Sequence, residues 1–283
     1  MSWSVIAKKD FRDAGRSKAL WALTALFVLF MAGMAYVYTL VQSGGPAGAG
    51  ELGSLGLIFF LISPVTLLIP LTALVMAHKS IAGEVESGSA KFLLSLPHTR
   101  RDAIIGKVVG RGAVMGVAVL VGLVVAAVVT VALYDSFDTM AYLGFAVLTV
   151  FLAVMYTAIG VGLSATTKDG GRATILVAGF YVFFELAWGL VPTGVYYLLN
   201  NSFAPGPNTV PPDWYLLLNR LPPSSAFSSA VFQFLPGNAG NIAQYFPQSP
   251  PIHLSKWAAL AMMVVWFVVV PLVGYRVFER ADL

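Results

Sequence analysis

Apolar residues in this chain come in long unbroken runs, not in the alternation of a strand or the single stripe of a surface helix. Six runs reach the roughly 20 residues that a helix needs to cross a hydrocarbon core: 19–41, 52–77, 108–133, 141–166, 173–198 and 257–275. The pattern predicts an all-α polytopic membrane protein, one transmembrane domain over 1–283, with no room for a separate soluble domain. The first run exceeds the apolar core of a signal peptide, and no small-residue cleavage site precedes Gln42. It is expected to stay as the first span.

Composition agrees with that pattern. The chain is 58% hydrophobic and 11% charged, with a mean hydropathy of +0.81, whereas a soluble domain carries about 25% charged residues. It has no cysteine, so disulfides and thiolate metal sites are excluded. The net charge of +4 matters less than where the cations fall. With six crossings, Lys8, Lys9, Arg12, Arg16, Lys18, Lys79, Lys91, Arg100, Arg101, Lys107, Arg111, Lys168, Arg172, Arg276 and Arg280 share one side. Only Arg220 and Lys256 fall on the other. The positive-inside rule then places both termini in the cytoplasm of a cell-membrane protein. Five or seven spans would scatter the same charges.

The remaining polar stretches are the informative ones. At the N-terminus Trp3, Ala7 and Ala14 share a helical face bordered by Ile6 and Phe11, with Lys8, Lys9, Arg12 and Arg16 opposite. That is the pattern of an interfacial helix. Between spans two and three, the segment 79–96 places Ile81, Val85, Phe92 and Leu96 on one stripe, with Glu84, Glu86, Ser87 and Lys91 away from it. Gly88 predicts a break or a close backbone approach, and Pro97 a stop. Two carboxylates facing an anionic leaflet make better sense against protein than against lipid. On the other side, the loop 199–255 is long, nearly uncharged and aromatic-rich. Its apolar piece 226–235 is too short to span and predicts a re-entrant or interfacial helix.

Ile81, Glu84, Glu86, Gly88, Ser89, Leu93, Leu94, Pro97, Arg100, Gly106 and Lys107 together resemble the signature after the second span of ATP-binding-cassette permeases of the type-2 export class. Ser89 stands where that family usually has Thr, and Ala90 where it has Leu. The opening KKDFRDAGRSK, the PPSSAF motif in the long loop and the six-span plan also fit, and the chain is most similar to permeases grouped with nitrous-oxide-reductase maturation. The resemblance implies a permease, an exporter by class, driven by a separate cytoplasmic ATPase and paired with a second permease copy or a paralogue. The N-terminal helix and a coupling helix after span two would meet the ATPase. By that carry-over Ile81, Glu84, Glu86, Gly88, Lys91, Pro97 and Arg100 form the coupling segment, with Glu84, Glu86 and Lys91 as contacts. The substrate of those permeases does not transfer with the resemblance.

Glu185 is the acidic residue deep within a span. A charge at mid-bilayer costs about 3 kcal/mol or more, so it is expected to face the bundle interior or to be protonated. Two readings stand: a substrate- or proton-path residue, or a buried carboxyl bonded to Tyr181, a threonine or backbone. The first makes a proton-coupled secondary transporter the alternative function, although no internal repeat of spans supports it. Pro64, Pro70 and Pro192 are expected to bend their helices. Gly112, Gly116, Gly122, Gly160 and Gly162 favour close helix packing.

Catalytic motifs are missing. No G-x-x-x-x-G-K-[ST] loop occurs, so ATP is expected on the partner subunit and no cofactor on this chain. His78, His98 and His253 are isolated, which disfavours a zinc site. No nucleophile elbow is present, and nothing in the pattern suggests nucleic acid.

Overall fold

A computed structural model describes residues 3–15, 18–43, 53–89, 99–206, 209–235 and 251–280. Among them the fold is all-α, with a single isolated β-bridge between Gly53 and Ser136. The helices are α1 Trp3–Gly15, α2 Lys18–Ser43, α3 Ser54–Ala77, α4 Ala82–Glu86, α5 Arg100–Leu133 and α6 Thr139–Ser164. There follow α7 Gly170–Tyr181, α8 Leu190–Asn200, α9 Asp213–Arg220, α10 Pro223–Phe234 and α11 Lys256–Glu279. A π-helical turn, Val182–Ala187, lies between α7 and α8. Six helical segments are long and apolar enough to cross a membrane. They match the six apolar runs, with two differences in extent. The fifth span ends at Ala187 instead of 198, where a π-helical turn gives way to the separate helix α8. The third span begins at Arg100, not near 108, because its first two turns are amphipathic and an apolar window passes over them.

Helix starts follow local chemistry. Thr99 accepts from the Asp102 backbone N–H while the Asp102 side chain accepts from the Thr99 N–H, a reciprocal capping box. Asp138, Asp169 and Ser255 cap α6, α7 and α11 in the same way, each side chain accepting from a first-turn N–H. The Asp169 carboxyl is held below the usual carboxylate range, mainly by the Arg172 N–H.

Inside a bilayer no hydrophobic force draws apolar helices together, so small residues and buried hydrogen bonds carry the packing. The helices α3, α5 and α6 form the centre, with Leu57, Ile58, Met115, Phe145 and Tyr156 fully buried. A Cβ at Gly122 would lie 2.8 Å from the Phe27 carbonyl oxygen of α2. One at Gly162 would lie 2.7 Å from the Val270 carbonyl of α11, and one at Gly160 2.6 Å from Ala77 of α3. Tyr134 donates to the Ala35 carbonyl and Tyr142 to the Leu123 carbonyl, each at 2.7 Å.

The long loop folds back into this bundle. Pro223 opens α10, a position where a proline's missing N–H costs nothing. Ala226, Phe227, Ala230 and Val231 are then buried completely, against α6, α11 and α3. Trp266 of α11 and Trp188 donate to the Leu221 and Leu218 carbonyls, both at 2.8 Å. Between them they anchor the α9–α10 turn. Arg220, at the end of α9, is 5% exposed and donates to the Ser255 carbonyl at 3.2 Å. Burial pushes its guanidinium down to about 10. The expected short helix is therefore present, begins three residues earlier than 226, and is packed inside the bundle.

One expectation needs correction. The apolar face of α1 is set by Ile6 and Ala7, which are buried against α5, while Trp3 and Phe11 stay exposed. The seam is made by α5: a Cβ at Gly106 would collide with Ile6 at 2.6 Å, and one at Gly110 with Asp10 at 2.8 Å. The coupling segment breaks at Gly88, as its glycine predicted. It forms the five-residue α4 and then turns at Gly88, whose φ of +74° is left-handed backbone that a side chain would strain. Phe92 and Leu96, the far half of the expected stripe, lie outside the described residues.

Candidate functional site

One end of the bundle gathers most of the polar side chains singled out above. There α1, the turn carrying α4, the start of α5, the last turn of α6, the first of α7 and the end of α11 meet. Ile81 is buried beside Ala77, Ile104, Val161 and Phe278. Its N–H and that of Ala82 both donate to the buried hydroxyl of Ser164, at 3.1 and 3.2 Å. These are the orphan donors of α4, satisfied by α6.

Lys107 sits at the centre and is only 1% exposed. Its Nζ lies 2.6 Å from Glu84 Oε1 and 3.4 Å from Asp10 Oδ1. Arg111, one turn further along α5, reaches Asp10 Oδ2 at 3.5 Å and donates to the Met76 carbonyl at 2.5 Å. Two cations and two carboxylates therefore balance inside the junction. A lysine so far from water persists only when its charge is paired. The pairing uses α1, α4 and α5, which are adjacent at this point only through tertiary packing.

Glu86 is spent in the same direction. Its Oε2 accepts from the Gly170 N–H at 3.1 Å, at the positive N-terminus of α7. Arg100 donates to the Phe278 and Glu279 carbonyls at 2.5 and 2.8 Å, closing the C-terminus of α11. Asp102 accepts from the Trp3 N–H at 3.1 Å and so holds the start of α1. The pattern of Glu84 and Glu86 lying away from the apolar stripe pointed to an outward contact face; both in fact have partners within the chain. Lys91 and Pro97 lie outside the described residues. Helical projection could not find the Glu84 partner, because Lys107 is 23 positions away. The isolated Gly106-Lys107 pair was the available signal: Gly106 admits α1 and Lys107 pairs with Glu84.

Glu185 belongs to a second, separate cluster, in the π-helical turn of span five. It pairs with Tyr156 of α6, and Tyr156 in turn lies 2.8 Å from Ser224 Oγ at the start of α10. Tyr181, one of the partners expected, instead donates to the Leu67 carbonyl of α3 at 3.2 Å. Sequence reasoning missed Tyr156 and Ser224. PPSSAF marked Ser224 as part of a motif, but nothing local says that the motif plunges to the depth of Glu185.

The sequence is similar to known proteins along nearly its whole length. A family model described as ABC-2 family transporter protein matches residues 4–283. The chain is 29% identical to the "Probable ABC transporter permease protein NosY" of Pseudomonas aeruginosa over 269 residues, covering 91% of each chain. It is also 29% identical to the protein of the same description from Stutzerimonas stutzeri over 287 residues, covering 97% of each. Six membrane-spanning helices, a polar junction at one end and a match that runs almost the full length make this chain a member of the ABC-2 family of transporter permeases.

Proposed function

We propose that the chain is the membrane-spanning subunit of an exporter whose ATP is hydrolysed by a separate cytoplasmic ATPase, and that it works beside a second permease copy. The Lys107 junction carries this reading. It ties α1 and α4, the two short helices at the basic end, to the long helix α5 by buried charge. A push on either short helix is thereby delivered to span three as a rigid displacement, because a buried ion pair resists opening. The basic end then faces the cytoplasm, in line with the positive-inside distribution of its lysines and arginines. Both termini are cytoplasmic in this orientation.

The coupling role of Ile81, Glu84, Glu86, Gly88 and Arg100 becomes architectural. They fix the loop on the bundle, while Lys91 and Pro97 belong to the coupling segment by the resemblance alone. ATP binds the partner, since this chain has no phosphate loop. The test is co-expression with ATPases encoded beside the gene, followed by co-purification and ATP turnover in vesicles. A stable complex is expected, and Lys107→Met should retain assembly while losing transport-linked stimulation of turnover. Failure of any ATPase to co-purify, or a Lys107→Met complex with unchanged stimulation, would sink the reading.

A further inference from the structure

Pro70 sits inside α3 and brings no N–H, so the Thr66 carbonyl one turn earlier loses its helical donor. In hydrocarbon such a carbonyl must find another partner. Ser224 Oγ lies 3.4 Å from it. The same oxygen is 2.8 Å from the Tyr156 hydroxyl, which meets Glu185. Three side chains from α6, α10 and the π-helical turn thus form a cluster that ends on span two at Pro70.

Counting protons decides how that cluster is wired, since each hydroxyl has one to give. If Glu185 were ionised, Tyr156 would donate to it, and Ser224, which also meets the carboxyl directly, would have one proton for Glu185, Tyr156 and Thr66, so two of these contacts would go without a donor. If Glu185 carries a proton, it donates to Tyr156, Tyr156 to Ser224, and Ser224 to Thr66. Every oxygen in the line is then satisfied. The surroundings favour the second wiring. Among the described residues no lysine or arginine forms an ion pair with Glu185. Its own turn carries Phe184, stacked on Trp188 at 5.2 Å and edge-on to Trp266 at 4.9 Å. Tyr181 is the other titratable group on this face, and its proton is committed to Leu67. An unpaired carboxylate there is disfavoured.

We propose that a protonated Glu185 drives a hydrogen-bond line through Tyr156 and Ser224 to the Thr66 carbonyl, locking α10 onto the Pro70 bend of span two. Tyr156 and Ser224 are positioning residues in this scheme. They set the angle between the two halves of α3, and α10 can shift only by giving up the Thr66 contact. Its relevance to transport rests on the permease reading, but its test does not.

The chain has no cysteine, so spin labels can be placed freely at Ser63→Cys and Val75→Cys, two exposed positions flanking Pro70. With the full-length protein in lipid vesicles, a single narrow label distance is expected. Tyr156→Phe, Ser224→Ala and Glu185→Ala should each broaden or shift it. Glu185→Gln, whose amide still donates, should keep it. Infrared spectra supply the direct signature: a protonated-carboxyl C=O band that Glu185→Gln removes and Tyr156→Phe moves to higher frequency. A Glu185→Gln spectrum that loses carboxylate intensity instead would overturn the protonated wiring. A wild-type distance distribution in Ser224→Ala would overturn the lock.

Discussion

The bundle holds two polar clusters, and they are neutralised in opposite ways. At the basic end, Lys107 and Arg111 face Asp10 and Glu84, charge against charge, within reach of the membrane surface. Deeper in, Glu185 meets only hydroxyls, Tyr156 and beyond it Ser224. Each cluster joins helices that are distant in sequence, so each fixes a tertiary arrangement that apolar contacts alone leave loose. The difference lies in what remains when one member is removed. At the junction an uncompensated charge is stranded. In the deep cluster neutral groups are left, and these find other partners. Depth in the membrane and energetic weight therefore run in opposite directions here.

The sharpest way to break that comparison is Lys107→Met. It keeps the stem's volume but strands Glu84 and leaves Asp10 with Arg111 alone, and breaking a buried pair costs about 3–5 kcal/mol. Glu84 is one-third exposed, so about 3 kcal/mol is expected, read as lost unfolding free energy in mixed micelles. The double change Lys107→Glu with Glu84→Lys should recover part of it. A loss under about 1 kcal/mol, the range of a surface pair, would mean the junction is not held by charge.

Packing supplies the next effect. A Cβ on Gly274 would land on the Gly162 carbonyl, where α6 and α11 cross backbone to backbone. Overpacking costs about 1–3 kcal/mol, so Gly274→Ala should lower stability by about 2 kcal/mol. The paired control is Gly179→Ala in span five, which meets nothing within 4 Å and should be neutral. Should both changes behave alike, close helix approach would not be what orders the bundle.

The split between what was legible and what was not follows the same physics. The six spans were readable because a run of about 20 apolar residues has few other fates. The short helix of the long loop was readable too, since aromatic residues in a nearly uncharged segment need burial. Partners were not readable. A helical projection shows which side of a helix a residue takes, as with Glu84. It cannot show that a lysine 23 positions on will close over that side. The break at Gly88 was legible, since a glycine inside an amphipathic pattern weakens the helix there, and the structure gives it a left-handed φ. For Glu185 the environment was inferred correctly as interior. Tyr181 was one of the partners offered because it is one helical turn away, whereas Tyr156 lies on another span.

A smaller effect tests whether the basic end is organised locally as well as by charge. Thr99→Ala removes one arm of the capping box on α5, a change worth about 1 kcal/mol. Asp102 would keep its bond to the Trp3 N–H. Stability should fall by that amount while α1 stays docked, which protease protection of the N-terminus can check. Release of α1 together with the cap would show that Asp102 needs Thr99 to be held in place for both tasks.

Tyr156→Phe closes the comparison from the other side. Side-chain hydrogen bonds between membrane helices average about 0.6 kcal/mol, because the alternative state also finds partners. Removing this hydroxyl, though fully buried, should therefore cost less than the cap on a solvent-facing helix end. Its effect should appear in geometry: a loosened bend at Pro70 with almost unchanged unfolding free energy. The Lys107 variant should show the reverse, a large loss of stability with the Pro70 bend intact. If Tyr156→Phe instead cost as much as Lys107→Met, the carboxyl it leaves behind would have to be charged. The two clusters would then be electrostatic sites of the same kind at different depths.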